Sequence, residues 1–436
     1  MVKIIHMADT HLGYRARKGT INKWAILHYS KPYEQEIYDT FLKVIDDVSI
    51  IEDLDFLVHC GDMFHIPSQF SSYPPQEPAR RVLKQGLDLF FKNTNNKVPF
   101  IYIEGNHGVF RGFEYTPFES LISNEKYPNL YYFKERDLLN ALRNNEPLIQ
   151  EFKGKKVRFF LFPYFEFKGF EVYKDAYDKW INLQKPNKND GFIDIAVAHG
   201  SEADDTLHKK IKQDDFGYDY IALGHEHGFK KESRNRYYTG CLLPMNFKER
   251  IENQGYLIVD INGNSKELTI EKVATDDMLK RTFEIIPIEV SPQDTSEDLR
   301  NKINNELKKF ESEEGFEPKT SARLKINFIG EMTYEKIWLI NDLMIRIRRD
   351  CFSQPEKNNI FQLIWKISDI SEIIENDISP GIIEDYILEK PDEEFRDFVN
   401  EKLSAQKSQF DVDKLTKFGM EAIKNALKIM DKEKEV

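Results

Sequence analysis

Cysteine is scarce in this chain: Cys60, Cys241 and Cys351 are its only 3, far apart and matching no motif spacing. A disulfide framework and a Cys-based zinc knot are thereby excluded, and reduced thiols in a cytoplasmic protein are expected. Long apolar runs are missing too. None approaches the roughly 20 residues of a membrane-spanning helix, so no membrane partner is expected. The first residues enter a core strand at once, which leaves no room for a secretory signal. Positive charge is in deficit, with 62 Lys and Arg against 74 Asp and Glu and a net charge of −12. A protein that coats nucleic acid would carry a broad basic face, so that class is disfavoured. An enzyme whose bound metals supply positive charge at a phosphate is left open.

What is present suits a globular protein of two or three domains: 436 residues, 40% hydrophobic and 31% charged. The informative feature is a pattern met five times, an apolar strand-like run entering a short polar tip. The tips are Asp9-Thr10-His11 after VKIIHMA, Gly61-Asp62 after DFLVHC, and Gly105-Asn106-His107 after VPFIYIE. His199-Gly200 follows FIDIAVA, and Gly224-His225-Glu226-His227 follows YDYIAL. Runs this short and rich in Val, Ile, Phe and Tyr suit buried strands. Strand ends on one edge can bring distant residues to one point. Collected there are two Asp, one Asn and five His, a donor set for two divalent metals. A pair of ions about 3.5–4 Å apart clamps the attacking and leaving oxygens of an in-line displacement at phosphorus. Hydrolysis of a phosphate ester is the reaction class that follows.

The ordered set DTH, GDMFH, GNH, HG and GHEH resembles the calcineurin-like metallophosphoesterase superfamily, over residues 1 to about 260. Within it, ADTHLG, HCGDMFH, YIALGHEH and YYTGCLLPMNFKERIENQGYLIVDI are similar to SbcD-type DNA repair nucleases. The resemblance implies an α/β fold, a four-layer metallophosphoesterase sandwich of two sheets flanked by helices. It implies that Asp9, His11 and His227 hold one ion and Asn106, His199 and His225 the other, with Asp62 bridging. Manganese, Mn(II), is the ion favoured by the family and by the mixed nitrogen and oxygen donors. His107 is then the histidine that faces the scissile phosphate without ligating metal, and His65 orients it. One position departs from the family, where an acid usually follows GNH; here Gly108 follows. Every ligand position is still filled, but His107 is expected to be held less firmly. DNA as substrate, an SMC-like ATPase of the SbcC type as partner, and a homodimer are the further implications.

Other residues carry weaker signals. Arg15, Arg17, Lys18 and Lys23, beside Trp24, follow the first tip and are candidate nucleic-acid contacts. Lys209, Lys210 and Lys212 form a second basic cluster that reads equally well as a solvated loop. His6 and His59 lie within strands and read as structural, as do His28 and His208 outside the motifs. Glu226 is expected to point away from the metals. Apolar residues at helical spacing predict helices through Ile37–Val48 and Val82–Phe90.

The polar segment from about 265 to 280 reads as a boundary, which sets a nuclease domain at 1–275. Beyond it, FEIIPIEV, RLKINFIG and NIFQLIWKI read as strands, with helices near SEDLRNKINNELKKF and YEKIWLINDLMIRIRR. This small α/β unit, 280–375, resembles a capping domain beside the metal cleft. Residues 380–436 read as a C-terminal helical segment, with Leu415, Phe418, Ile423 and Leu427 on an apolar face. In the family such a segment grips the coiled coil of the ATPase, a helix-in-groove mode. The alternatives are a stand-alone phosphatase or phosphodiesterase on a non-DNA substrate, and a non-catalytic subunit that keeps its metals for structure.

Overall fold

Short Val- and Ile-rich runs alternating with amphipathic helices build two parallel-rich sheets that lie face to face. The structure is a computed structural model. It describes residues 1–14, 32–65, 77–108, 116, 118–119, 126–165, 171–188, 190–200, 216–247, 249, 254–275, 278, 282–312, 321–330, 332–354 and 357–369. The first strands and helices are β1 (Val2–Met7), α1 (Pro32–Ser49), β2 (Phe56–His59), α2 (Glu77–Asn93), β3 (Phe100–Ile103) and β4 (Leu130–Phe133). There follow α3 (Glu135–Asn144), β5 (Ile149–Phe152), β6 (Val157–Phe162), α4 (Lys174–Trp180), β7 (Ile193–His199) and β8 (Tyr220–Gly224). Next come β9 (Lys230–Lys231), β10 (Arg236–Tyr238), β11 (Gly255–Ile261) and β12 (Leu268–Ala274). The last are β13 (Phe283–Val290), α5 (Ser296–Leu307), β14 (Ala322–Gly330), α6 (Tyr334–Ser353) and β15 (Ile360–Asp369).

One sheet runs β12-β11-β1-β2-β3-β4 and the second β5-β6-β7-β8-β10-β9. In the first, β1 to β4 are parallel; in the second, β6, β7, β8 and β10 are parallel. Parallel strands buried on both faces need apolar residues at nearly every position. The β1 strand meets this by sending Ile5 and Met7 to one side and Val2 and Ile4 to the other. Between the sheets lie Ile4, Phe56, Val58 and Ile101 against Phe159, Ile195, Val197 and Ala222. Outside the first sheet, α1 packs Phe41, Val44 and Ile45 and α2 packs Leu83, Leu87 and Phe90. Outside the second, α3 brings Leu138 and Leu142 and α4 brings Tyr177 and Trp180. Helix, sheet, sheet and helix make four layers.

A third sheet, β13-β14-β15, is all parallel and has its own core. Leu299 and Ile303 of α5 and Ile340, Leu343 and Met344 of α6 cover Leu324, Ile326 and Phe328 of β14. Thr295 caps α5 by accepting from the Asp298 N–H, and Thr333 caps α6 by accepting from Lys336.

The polar stretch from about 265 to 280 begins with β12, paired with β11 along its whole length and ending at Ala274, inside the expected 1–275 domain. It is an edge strand, half exposed, and its outward Thr269 and Glu271 gave it a loop-like composition. Residues Met1–Asp369 form one compact unit, and Ile370–Val436 lie outside the described residues. So do Arg15, Arg17, Lys18, Lys23 and Trp24, the lysines at 209, 210 and 212, and His28 and His208. Among the described residues, no helix is long and apolar enough to cross a membrane.

Candidate metal centre

Because β1, β2 and β3 run parallel in one sheet and β7 and β8 in the other, their C-terminal ends open onto a common edge. The first two tips are locked together by their backbones. The Asp9 N–H donates to Gly61 O at 3.0 Å, His11 N–H to Asp62 O at 2.9 Å and Leu12 N–H to Met63 O at 2.9 Å. Asp9, His11, Asp62 and His225 all take left-handed backbone, with φ of 50, 49, 54 and 103°. Four non-glycine residues in that region at one site mark a strained loop set, the kind of strain that surrounding packing must hold. Gly105 is required by close approach, since a Cβ there would collide with the Asp62 carboxylate and backbone N.

All seven residues expected as ligands come together. His11 Nε2 lies 3.1 Å from His227 Nε2, 4.0 Å from Asp9 Oδ1 and 3.7 Å from Asp62 Oδ2. On the other side, His199 Nε2 lies 3.3 Å from Asp62 Oδ2 and 2.9 Å from Asn106 Oδ1. His225 Nδ1 is 3.1 Å from the same Asn106 oxygen, and the His225 N–H donates to both Asp9 oxygens. Asp62 thus sits between two groups of donors. Two sets, Asp9 with His11 and His227, and Asp9 with Asp62 and His199, each offer ligand atoms within 4.8 Å of one another. His107 and His65 sit at the margin. The His107 N–H donates to Asp62 Oδ1 at 2.8 Å, and its ring stacks on His65 at 4.8 Å. His65 also places Nδ1 3.2 Å from His11 Nδ1. Glu226 is exposed, between two half-buried histidines.

The donor set fits divalent cations. Asp9 and Asp62 are buried, and buried carboxylates need charged partners. Burial raises the Asp9 carboxyl to about 6. Burial would raise Asp62 as well, but His199, through its charge and its hydrogen bond, holds it well below the usual carboxylate range. Burial works to lower His199, yet the Asp62 charge beside it raises it to about 9. His11 is pushed far down by burial, so its ring is neutral and its lone pair available. Tertiary partners fix the tautomers. His199 Nδ1–H donates to Cys60 O at 2.7 Å, and a carbonyl can only accept, so Nε2 is the nitrogen left for the centre.

Glu249, which the sequence did not single out, does the same for His227. Its Oε1 lies 2.9 Å from His227 Nδ1, and its Oε2 accepts from the Met245 N–H at 2.6 Å. Burial opposes the proton on His227, but the Glu249 hydrogen bond raises its pKa. A carboxylate behind a ligating imidazole orients the ring and increases its basicity. Nothing in the spacing of Glu249, 22 residues after His227, marks that contact. Likewise His59 Nε2, 2.8 Å from Thr10 Oγ1, supports the bend between Asp9 and His11.

A helix–sheet–sheet–helix sandwich with buried carboxylates and imidazoles at one strand edge defines a metal-dependent phosphoester hydrolase. A family model described as calcineurin-like phosphoesterase matches residues 2–229, and the chain belongs to that family. Its members act through a dinuclear divalent metal centre. The chain is 25% identical over 285 residues to the SbcD component of the SbcCD nuclease from Staphylococcus epidermidis, covering 60% of this chain and 67% of that protein. The same component from Staphylococcus saprophyticus is 26% identical over 284 residues, 60% of this chain and 66% of that one. The DNA double-strand break repair protein Mre11 of Methanococcus maripaludis is 33% identical over 108 residues, 25% of this chain and 23% of its own length. The chain thus spans about two thirds of the two bacterial relatives.

Proposed function

We propose that this chain is a Mn(II)-dependent DNA nuclease that works with an SMC-like ATPase. The observation that carries the reading is the convergence of seven donors at one strand edge, with His107 beside them and bonded to Asp62 through its backbone. DNA as the substrate is supported by relatives named as part of a nuclease and as double-strand break repair proteins.

In this reading Asp9, His11 and His227 would hold one ion, and Asn106, His199 and His225 the other, with Asp62 between. Ions held there would supply positive charge for phosphoryl oxygens and a more acidic water. Asp62 is held well below the usual carboxylate range chiefly by its contact with His199, so it remains a donor at neutral pH. His107 is not counted among the ligands, and its part is to protonate or stabilise the leaving oxygen. His65, stacked on it, restricts its ring. Arg15, Arg17, Lys18 and Lys23 are the proposed DNA contacts. The β13–β15 layer is the proposed capping domain, and residues 380–436 are the proposed partner-binding segment. Cytoplasmic location and a homodimer belong to the same proposal.

The test is cleavage of end-labelled single- and double-stranded DNA in Mn(II), with and without the cognate ATPase. The expected result is metal-dependent cutting that falls about 10²–10⁴-fold in His107→Ala while Mn(II) remains bound. Turnover of a small phosphoester without cutting of DNA would make it a phosphatase or a phosphodiesterase on another substrate. Metal binding without any hydrolysis would make it a non-catalytic subunit.

A further inference from the structure

Gly108 closes the turn that presents Asn106 and His107, and the structure sets the carboxyl-bearing side chain of another residue, Glu104, directly against it. Glu104, at the end of β3, is 2% exposed. A Cβ on Gly108 would lie 2.8 Å from Glu104 Cγ and 3.4 Å from its Oε1. Gly108 has no left-handed backbone, so its neighbour and not its φ bars a side chain there. Glu104 is held on every side. The Tyr132 hydroxyl donates to Oε1 at 2.8 Å, and the Glu135 N–H in the first turn of α3 donates to Oε2 at 3.3 Å. Its own N–H donates to Phe133 O at 2.8 Å, and its carbonyl accepts from the Tyr164 N–H at 2.9 Å. Immediately after it the chain turns, with the Gly108 N–H donating to Gly105 O, and presents Asn106 and His107.

We propose that Glu104 is the positioning residue of this loop: its carboxyl group, anchored to β4 and α3, fills the space under Gly108 and fixes Asn106 and His107 against Asp62. The loop is held from below by the residue that follows β3. The role acts through backbone position, and Glu104 touches no reacting atom. It rests on the phosphodiesterase reading above only where turnover is the readout.

The test is a mutant cycle of Glu104→Ala, Gly108→Asp and the double variant, with bis(p-nitrophenyl) phosphate and Mn(II). Glu104→Ala is expected to lower kcat about ten- to a hundred-fold, with KM and Mn(II) affinity little changed. Gly108→Asp alone also loses kcat, because both side chains compete for one space. The double variant, which puts the acid on the loop and empties the strand position, regains at least about tenfold over either single variant. Wild-type kcat in Glu104→Ala, or a double variant no better than the singles, overturns the proposal. If Glu104→Ala does not fold, the comparison of Gly108→Asp with the double variant decides by the same rule. Silence of the wild type on this substrate and on DNA would remove the phosphodiesterase reading alone. The loop is then followed through the His107 imidazole NMR signals, which shift in Glu104→Ala and return in the double variant if Glu104 positions them. Signals that do not shift overturn it.

Discussion

The metal edge of the two large sheets and the small third sheet are built on opposite terms. The edge buries Asp9, Thr10, His11, His59, Asp62, Glu104 and His199, and bends the backbone into left-handed conformations at Asp9, His11, Asp62 and His225. Among the described residues from 282 to 369, no non-glycine residue has positive φ, and the buried polar residues are Ser321, Arg323 and Gln362. That sheet is apolar packing with capped helices around it. Local rules agree through most of the third sheet, with buried Arg323, bonded to Gln362, an exception, and they conflict at the edge, where a protein's chemistry tends to collect. Strain at the edge is tolerated because two apolar cores, between the sheets and under α1 and α2, hold its roots.

The sharpest way to break the comparison is at its most polar point. Asp62→Ala should abolish metal binding by calorimetry and reduce phosphodiester turnover to background. Turnover that survives would mean the edge is not the reactive site. At the apolar pole, Leu324→Ala should cost about 2–5 kcal/mol in urea unfolding, since Leu324 is fully buried in the third core. Its kcat on a small phosphodiester should stay at the wild-type level, and a parallel loss would show that the two regions are coupled. Glu249→Ala should lower Mn(II) affinity or turnover about ten- to a hundred-fold by freeing the His227 ring. An unaltered metal titration would reduce Glu249 to a loop contact.

A further contrast concerns pH. His6 is buried, accepts from the Tyr220 hydroxyl at 2.8 Å through Nδ1 and faces Leu223 O at 3.1 Å through Nε2, the pattern of a neutral ring. Burial lowers its pKa from 6.5 to about 3. Between those values the unfolded chain takes up a proton that the folded chain refuses. Stability from this group is therefore complete above pH 6.5 and declines as pH falls toward 3, by about 1.4 kcal/mol per pH unit. His6→Asn should show a shallower acid dependence of its urea-unfolding free energy by that amount. The third sheet contains no histidine, so the acid sensitivity of this kind belongs to the metal side.

The chain's local patterns already carried much of this. Period-two and continuous apolar runs marked β1, β2, β3, β7 and β8, and the same reading found β13, β14 and β15 with the two helices between them. The motif residues at the five tips were visible because each follows an apolar run directly. Edge strand β12 was not, since one of its faces is solvated and its composition is that of a loop. Glu249 and Glu104 lie in runs that were legible, but nothing in their spacing marks their contacts with His227 and with the turn at Gly108.

Sequence alone determined the strands, their polar tips and the donor types, since these depend on near neighbours and on side-chain chemistry. Only the tertiary structure decided which nitrogen of His199 and His227 turns inward, and which carboxyl group lies beneath Gly108. Those outcomes depend on Cys60 O reaching a ring 139 residues away, Glu249 folding back onto His227, and α3 presenting an N–H to Glu104. Contacts between distant segments are fixed by the packing of layers, which no local pattern encodes.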